Sequence, residues 1–264
     1  MPISANAITY HPSYVAFLDV LGFETLVRSK RPADKKKIST YFHSINTEID
    51  NLKQIKIKQE IGFLVISDSV ILSVRKSGDV ESDREIIRQL CVAIQKIQLQ
   101  LALKDIWLRG GISSGDAYFD ASKSQIVGQA FINAYQLERR IAVYPRVVLD
   151  SKLIAELNFT TAEEMISAIN ENVLFPWSAG NHVANFKKDV ALFIDYLAPA
   201  FKKPSDLETV VKNIQNNIYS NAEHYPKYRW VADYLIASCI PTNKFSGHKG
   251  RATIEEQFKV LLGL

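Results

Sequence analysis

Residues 57–75 read IKQEIGFLVISDSVILSVR, two apolar runs separated by Ser67-Asp68-Ser69. A short polar tripeptide between apolar runs of this length predicts a tight turn and an antiparallel hairpin. That one feature limits the fold sharply. A purely parallel sheet joins its neighbours by long crossovers, so a chain with a hairpin in it is not an all-parallel doubly wound domain. A second strand-like run, Tyr14 to Leu21 (YVAFLDVL), is apolar apart from Asp19 and ends at Gly22.

Helical stripes alternate with these runs. From Asp34 to Leu52 the apolar positions are Ile38, Tyr41, Phe42, Ile45, Ile49 and Leu52, in steps of three and four. Ser82-Asp83-Arg84-Glu85 has the form of a capping box, and opens a helix with Ile86, Leu90, Ile94, Ile97 and Leu101 on one face. Trp107 to Ser113 is expected as a strand and Gly115 to Phe119 as its return, with Gly110 to Gly115 read as strand and turn. Gly128 opens a helix carrying Phe131, Ala134, Leu137 and Ile141, stopped by Tyr144-Pro145. Arg146 to Leu149 and Asp189 to Leu197 read as strands, and Ala162 to Ile169 as a helix. Leu207 to Ala222, Tyr228 to Cys239 and Ile254 to Leu262 form a helical tail punctuated by prolines. In that tail Tyr228, Val231 and Leu235 are core positions at helical spacing. Mixed helices, strands and hairpins give an α+β class. The expected division is 1–199 for the main domain and 200–264 for the tail.

Composition excludes several functions. Of 264 residues, 47% are hydrophobic, enough for a substantial core, and the net charge of +4 is mild. It makes no case for a nucleic-acid surface. Cys91 and Cys239 are far apart and frame neither a disulfide network nor a zinc site, which suits a reducing compartment. The five histidines are scattered. No signal peptide or membrane span is expected, so a cytoplasmic location is the expectation.

The chemistry centres on two carboxylates. An aspartate inside an apolar strand is costly to bury unless a helix start, an arginine or a metal compensates it. Asp19 is such a residue. Asp68 alone is an ordinary turn aspartate. If the first strand lies beside the hairpin, the two converge at one end of the sheet and form a pair of hard oxygen ligands suited to Mg²⁺ or Mn²⁺. Gly22 and Phe23, between strand and helix, would offer backbone N–H groups to phosphate. Arg109 reads more readily as a surface charge than as a phosphate ligand. Lys56 and Lys58 read as solvated.

These segments resemble a known family. AFLDVLGF is similar to the first metal-binding strand of class III nucleotidyl cyclases, and VISDSVILSV to their second metal-binding hairpin. LRGGISSGDAYF is similar to the strand pair that follows, and IVGQAFINAYQLE to their glycine-led helix. Order and spacing agree over residues 13 to 150. AYQLE followed by AVYPRVVLD most resembles the bacterial pyrimidine cyclases of the Pycsar antiphage defence system. The resemblance implies a ferredoxin-like class III cyclase sandwich with a C-terminal helical extension. It implies that Asp19 and Asp68 bridge two divalent metal ions, Mn²⁺ or Mg²⁺, with the carbonyl of Val20 as a further ligand. Gly22 and Phe23 would contact the triphosphate, and Leu64 and Ser67 would border the nucleotide. It further implies a homodimer, a nucleoside triphosphate substrate, no nucleic acid, no membrane, and a separate effector protein that binds the cyclic nucleotide.

The chain also departs from the purine cyclases. Leu64 stands where they place a base-reading lysine, and Gln125 where they place an aspartate. Ile132 and Gln136 stand where they carry an asparagine and an arginine that act on the transition state, with Asn133 one step off. Three readings follow: conversion of UTP or CTP to the 3′,5′-cyclic monophosphate with release of pyrophosphate; an adenylate or guanylate cyclase with a different base-reading set; or a degenerate domain that binds nucleotide or a partner without turnover.

Overall fold

The computed structural model describes residues 8–53, 61–171, 182–186, 189–220 and 222–239. The expected helix at Ile254–Leu262 and the start of the hairpin run at Ile57, with Lys56 and Lys58, lie outside the described residues.

The first half of the chain runs β1 (His11–Val20), α1 (Phe23–Arg28), α2 (Pro32–Lys53), β2 (Gly62–Ile66), β3 (Ser69–Arg75), α3 (Val80–Ala102) and β4 (Leu108–Asp120). These strands lie in the order β2-β3-β1-β4, each antiparallel to its neighbour. β1 and β2 are therefore parallel with β3 between them, joined over α2. β3 and β4 are parallel with β1 between them, joined over α3. This is the split βαβ arrangement of ferredoxin-like domains, and the α+β class expected from sequence is the class observed.

The sheet continues beyond β4. β5 (Gln125–Gly128) folds back on the end of β4, and α4 (Gln129–Arg140) follows it. β6 (Val147–Leu149) pairs in parallel with β4, then come α5 (Lys152–Glu156) and α6 (Ala162–Asn170). β8 (Asp189–Ile194) pairs with β6, and β7 (Val183–Phe186) with β8. A 3₁₀ turn, α7 (Pro204–Ile218) and α8 (Tyr225–Cys239) complete the described chain.

Successive residues of a strand point to opposite faces, and β1 is covered on both. Tyr14, Ala16 and Leu18 face α2 and α3, packing with Tyr41, Ile45, Leu72, Ile87, Leu90 and Ile94. Val15 and Phe17 face α4, packing with Leu64, Ile71, Ala117, Ala130 and Ala134. Double coverage explains why the run is nearly continuous rather than alternating. α4 lies unusually close to the sheet because β4 has Gly111 beneath it. A Cβ there would stand 2.5 Å from Leu137 Cβ and 2.6 Å from the Ala134 carbonyl.

The helices α7 and α8 contribute to the first of these cores through Leu207, Val210, Ile214, Tyr228, Val231 and Leu235. Asn213 Nδ2 donates to the Ala102 carbonyl at 2.9 Å, satisfying an acceptor at the end of α3. No helix among the described residues is long and apolar enough to cross a membrane.

Local expectations are corrected in three places. The cap of α3 is Asp79, whose carboxylate accepts from the Ser82 N–H at 2.9 Å, so the helix starts before the expected capping box. Asp83 accepts instead from the Ser77 N–H and hydroxyl, which draws the chain back across the helix start. Leu108–Asp120 is one strand, with no turn at Gly115; the returning strand is β5. Ile141 is 44% exposed at the end of α4 rather than on its packed stripe.

Candidate active site

β1 carries Asp19 to the end of the sheet, between Ser69 of β3 and Arg109 of β4. Asp19 shares the face of Val15 and Phe17, the one α4 covers. The tight turn between β2 and β3 puts Ser67 in the left-handed region at φ 57°, and Asp68 follows it. The Asp68 carbonyl accepts from the Val20 N–H at 3.2 Å, which fastens the hairpin tip to the end of β1. The structure therefore brings Asp19 and Asp68 together, as the adjacency of first strand and hairpin predicts.

Arg109 is not a plain surface charge. Its Nη2 lies 3.3 Å from Asp19 Oδ2, and its Nε lies 2.7 Å from Glu138 Oε1 on α4. Glu138 is 3% exposed. Its Oε1 has no well-directed hydrogen bond, so the contact with Arg109 is an ion pair and leaves acceptor capacity unused.

Asp19 and Glu138 thus share the Arg109 guanidinium, with Asp68 near enough to act on both by its charge. Burial, then the charges of Asp68 and Glu138, push the Asp19 carboxyl up to about 6, and Arg109 offsets this only in part. Burial also raises Glu138 above the ordinary carboxylate range, with Asp68 adding to it and Arg109 and Arg139 opposing. The cluster is short of positive charge.

A divalent cation fits that deficit. Among the described residues no three His, Cys, Asp or Glu side chains are grouped to hold an ion by themselves. An ion here would take Asp19 and Asp68 from the protein and complete its shell with water and phosphate oxygens, the usual habit of Mg²⁺.

The other expected residues are placed as follows. Gly22 adopts φ 74°, a conformation that favours glycine, and its carbonyl accepts from the Thr25 and Leu26 N–H groups to start α1. Phe23 is buried, its ring edge-on to Tyr41 with centroids 5.6 Å apart. Leu64 is buried in the apolar cluster beneath α4, and Ser67 is exposed at the hairpin tip. Val20 is buried at the end of β1.

Two participants were not identified from sequence. Glu138 entered only as the last residue of the AYQLE segment. Tyr41 was counted as an apolar stripe residue, yet its hydroxyl is buried without a hydrogen-bond partner among the described residues. Burial and then the charges of Asp68 and Asp19 push its pKa up, making the hydroxyl harder to ionise, so it lies within electrostatic reach of both. A tyrosine in a helical stripe next to an aspartate-bearing strand end is the only local signal for it.

No family model and no curated protein matches this sequence. Solved structures resemble it in shape. The adenylyl cyclase CyaB from P. aeruginosa aligns at TM-score 0.42 and 13% identity, over 70% of this chain and 94% of that one. A bacterial light-regulated adenylyl cyclase aligns at 0.39 and 14%, over 76% and 99%. A class III adenylyl cyclase-like ATP-binding protein from Pseudomonas aeruginosa aligns at 0.41 and 11%, over 80% and 44%. At these scores the likeness is one of broad architecture, and the chemistry of the site rests on its own residues.

Proposed function

We propose that the chain is a nucleotide cyclase that holds a nucleoside triphosphate at the Asp19–Asp68 end of the sheet. The observation that carries this reading is the convergence of those two carboxylates, with Arg109 between Asp19 and Glu138.

In the reaction the ribose 3′-oxygen forms a bond to the α-phosphorus. The bond from that phosphorus to the pyrophosphate oxygen breaks, and the hydroxyl proton passes to solvent. Divalent cations at Asp19 and Asp68 would supply charge neutralisation for the phosphates and make the hydroxyl more acidic. The protein's part is placement. The Asp68 carbonyl ties the hairpin to β1, so the two carboxylates move as one unit. Glu138 holds Arg109 at the site. Arg109 presents a guanidinium fork that matches phosphate oxygens in geometry.

The finer reading is a pyrimidine substrate, UTP or CTP, with a 3′,5′-cyclic monophosphate product sensed by a separate effector protein in antiphage defence. It rests on the sequence resemblance and on Leu64, an apolar side chain where a purine reader would need a polar one. On this reading residues 1–199 form the cyclase domain and 200–264 the tail. The chain works as a homodimer in which α4 of one copy completes the site of the other. Its location is cytoplasmic.

One observation favours a second reading, a nucleotide-binding domain without turnover. α4 offers Ile132, 52% exposed, and Gln136 where a transition-state asparagine and arginine would be needed. Incubation with each of the four triphosphates and Mn²⁺, followed by separation of products, decides between them. A cyclic nucleotide supports the cyclase. Triphosphate binding with no product supports the second reading.

A further inference from the structure

A cleft of about 800 Å³ opens on the α4 side of the sheet at the end away from Asp19. It lies between the start of β1, the end of β3 and the β4–β5 hairpin, and its lining includes His11, Ser73, Arg75, Tyr118, Phe119 and Lys123. His11 and Asp19 are eight residues apart along β1, so the two places are separated by roughly 26 Å at about 3.3 Å per residue. The cleft is of a size that takes small molecules, which occupy roughly 300–1,000 Å³.

The polar groups in it are unequally engaged. Lys123 is paired with Asp120 at 2.9 Å, and Asp120 also accepts from the Ser122 hydroxyl at 2.6 Å. Lys76, also in the lining, is paired with Glu156 at 2.6 Å and lies over the Tyr14 ring. The acid in the lining and two of its cations are thus already satisfied. Arg75 is different: it ends β3 exposed, and its guanidinium has no acidic or hydrogen-bonding partner among the described residues. Ser73 is different too. It is 6% exposed, lines the cleft, and its hydroxyl makes no hydrogen bond among the described residues. Ser73 and Arg75 are two apart on one strand, so both side chains are on the same face. The Ser73 hydroxyl opens into the cleft with no internal partner among the described residues, and the free guanidinium beside it selects an anion.

One ring narrows the choice. Phe119, on the same face as Ser73 and Arg75, packs against Gly62, where even a Cβ would stand 2.3 Å from the ring. A fixed aromatic wall beside an anion-binding group suits a planar ring carrying a phosphate.

We propose that this cleft is a second ligand site, distinct from the Asp19–Asp68 end, that binds a nucleoside monophosphate with the phosphate on Arg75 and Ser73 and the base against Phe119. The site does not depend on the cyclase reading, since no residue of the Asp19 cluster takes part in it.

Calorimetric titration of the full chain in EDTA, with UMP, AMP and inorganic phosphate as probes, tests it. Saturable one-to-one binding of a nucleoside monophosphate, at least tenfold tighter than inorganic phosphate, is expected. Arg75→Gln should weaken it at least tenfold, Arg75→Lys less, and Ser73→Ala about threefold or more. Asp68→Ala should leave it unchanged. Arg75 is exposed, so its variants should keep the wild-type melting profile; if one does not, Phe119→Leu serves as the independent variant and should weaken the nucleotide but not phosphate. No saturable binding of either nucleotide overturns the proposal. So does affinity equal to that of inorganic phosphate, or binding that survives Arg75→Gln and is lost in Asp68→Ala.

Discussion

Arg109 and Glu138 lie 29 residues apart in the chain and meet at 2.7 Å, where α4 presses on β4. The pair sets the charge balance of the whole site, because Arg109 is also the counter-ion of Asp19. Glu138 competes for that guanidinium and adds its own negative field.

Removing the Glu138 charge should therefore be felt at Asp19. In Glu138→Gln, Arg109 is left to Asp19 alone and one repelling carboxylate is gone. The Asp19 carboxyl, held up at about 6 by burial, Asp68 and Glu138, should titrate at a lower pH. Carboxyl-carbon NMR titration reads this directly. An unchanged Asp19 midpoint would show that Glu138 does not act on the site through Arg109.

The raised Asp19 value has a consequence for stability. The folded-state value of about 6 lies above the ordinary 3.8, so the folded protein holds this proton more tightly than the unfolded chain. Ionised Asp19 costs the fold nothing below about pH 3.8, costs progressively more up to about pH 6, and costs the full amount above it. The gap corresponds to at most about 3 kcal/mol, and water reaching the side chain reduces that to about 1–2 kcal/mol. In the metal-free protein Asp19→Asn should be more stable than wild type at pH 7–8, with the difference closing towards pH 4. Urea unfolding across that range measures it. Equal stabilities at pH 8 would contradict the charge deficit.

Much of this was legible in the sequence. The hairpin showed itself through two apolar runs and Ser67-Asp68-Ser69, and Asp19 through being the one charge in an apolar strand. What was not legible depended on partners far along the chain. Ser113, Ser114 and Gly115 look like a turn because they are small and polar. In the fold Ser113 and Ser114 are fully buried, and their hydroxyls donate to Asp150 and Glu156. Those acceptors, 37 and 42 residues away, let the strand run straight on. Arg109 was misjudged for the same reason. Only the register of β1 on β4 places it opposite Asp19, and only the close seat of α4 brings Glu138 to it. Asp79 and Ser82 are both good helix caps, and the choice fell to Asp79 because Asp83 is engaged with Ser77.

That close seat makes Gly111 a sensitive position. Gly111→Ala would put a Cβ 2.5 Å from Leu137 and 2.6 Å from the Ala134 carbonyl, and a backbone atom cannot swing aside. α4 must lift, at a cost of about 1–3 kcal/mol, taking Glu138 away from Arg109. Thermal unfolding should show a melting temperature lower by several degrees. A wild-type melting temperature would mean that α4 is held less tightly than its packing implies.

Asp68 should separate chemistry from folding. Its carboxylate is half-buried at a turn, while its main-chain carbonyl, which fastens the hairpin to β1, survives substitution. Asp68→Ala should melt within about 1 kcal/mol of wild type, as turn substitutions away from packed features do. It should lose at least a hundredfold in cyclic-nucleotide formation. Turnover at the wild-type rate would remove the two-carboxylate assignment.

Under the cyclase reading, Leu64 bears on which bases are disfavoured without itself choosing one. It is buried with Val15, Phe17 and Ile71 beneath α4, and it offers a purine edge neither donor nor acceptor. Gln125 on β5 supplies an amide where a purine reader would carry a charge. An apolar contact distinguishes substrates by only about 1–3 kcal/mol, whereas an unmet polar group rejects far more strongly. Absence of the purine contacts thus weakens ATP and GTP without by itself selecting UTP or CTP. Under the cyclase reading, equal concentrations of all four triphosphates should yield mainly a cyclic pyrimidine monophosphate. Leu64→Lys should not switch the product to cyclic AMP. The second purine contact would still be missing, and the new ammonium would enter an apolar cluster at a cost of several kcal/mol unless it reached water or a carboxylate. Product separation by chromatography reads both outcomes. Cyclic AMP or cyclic GMP as the main wild-type product would overturn the pyrimidine preference, and conversion by the single substitution would show that one side chain, not two, reads the base.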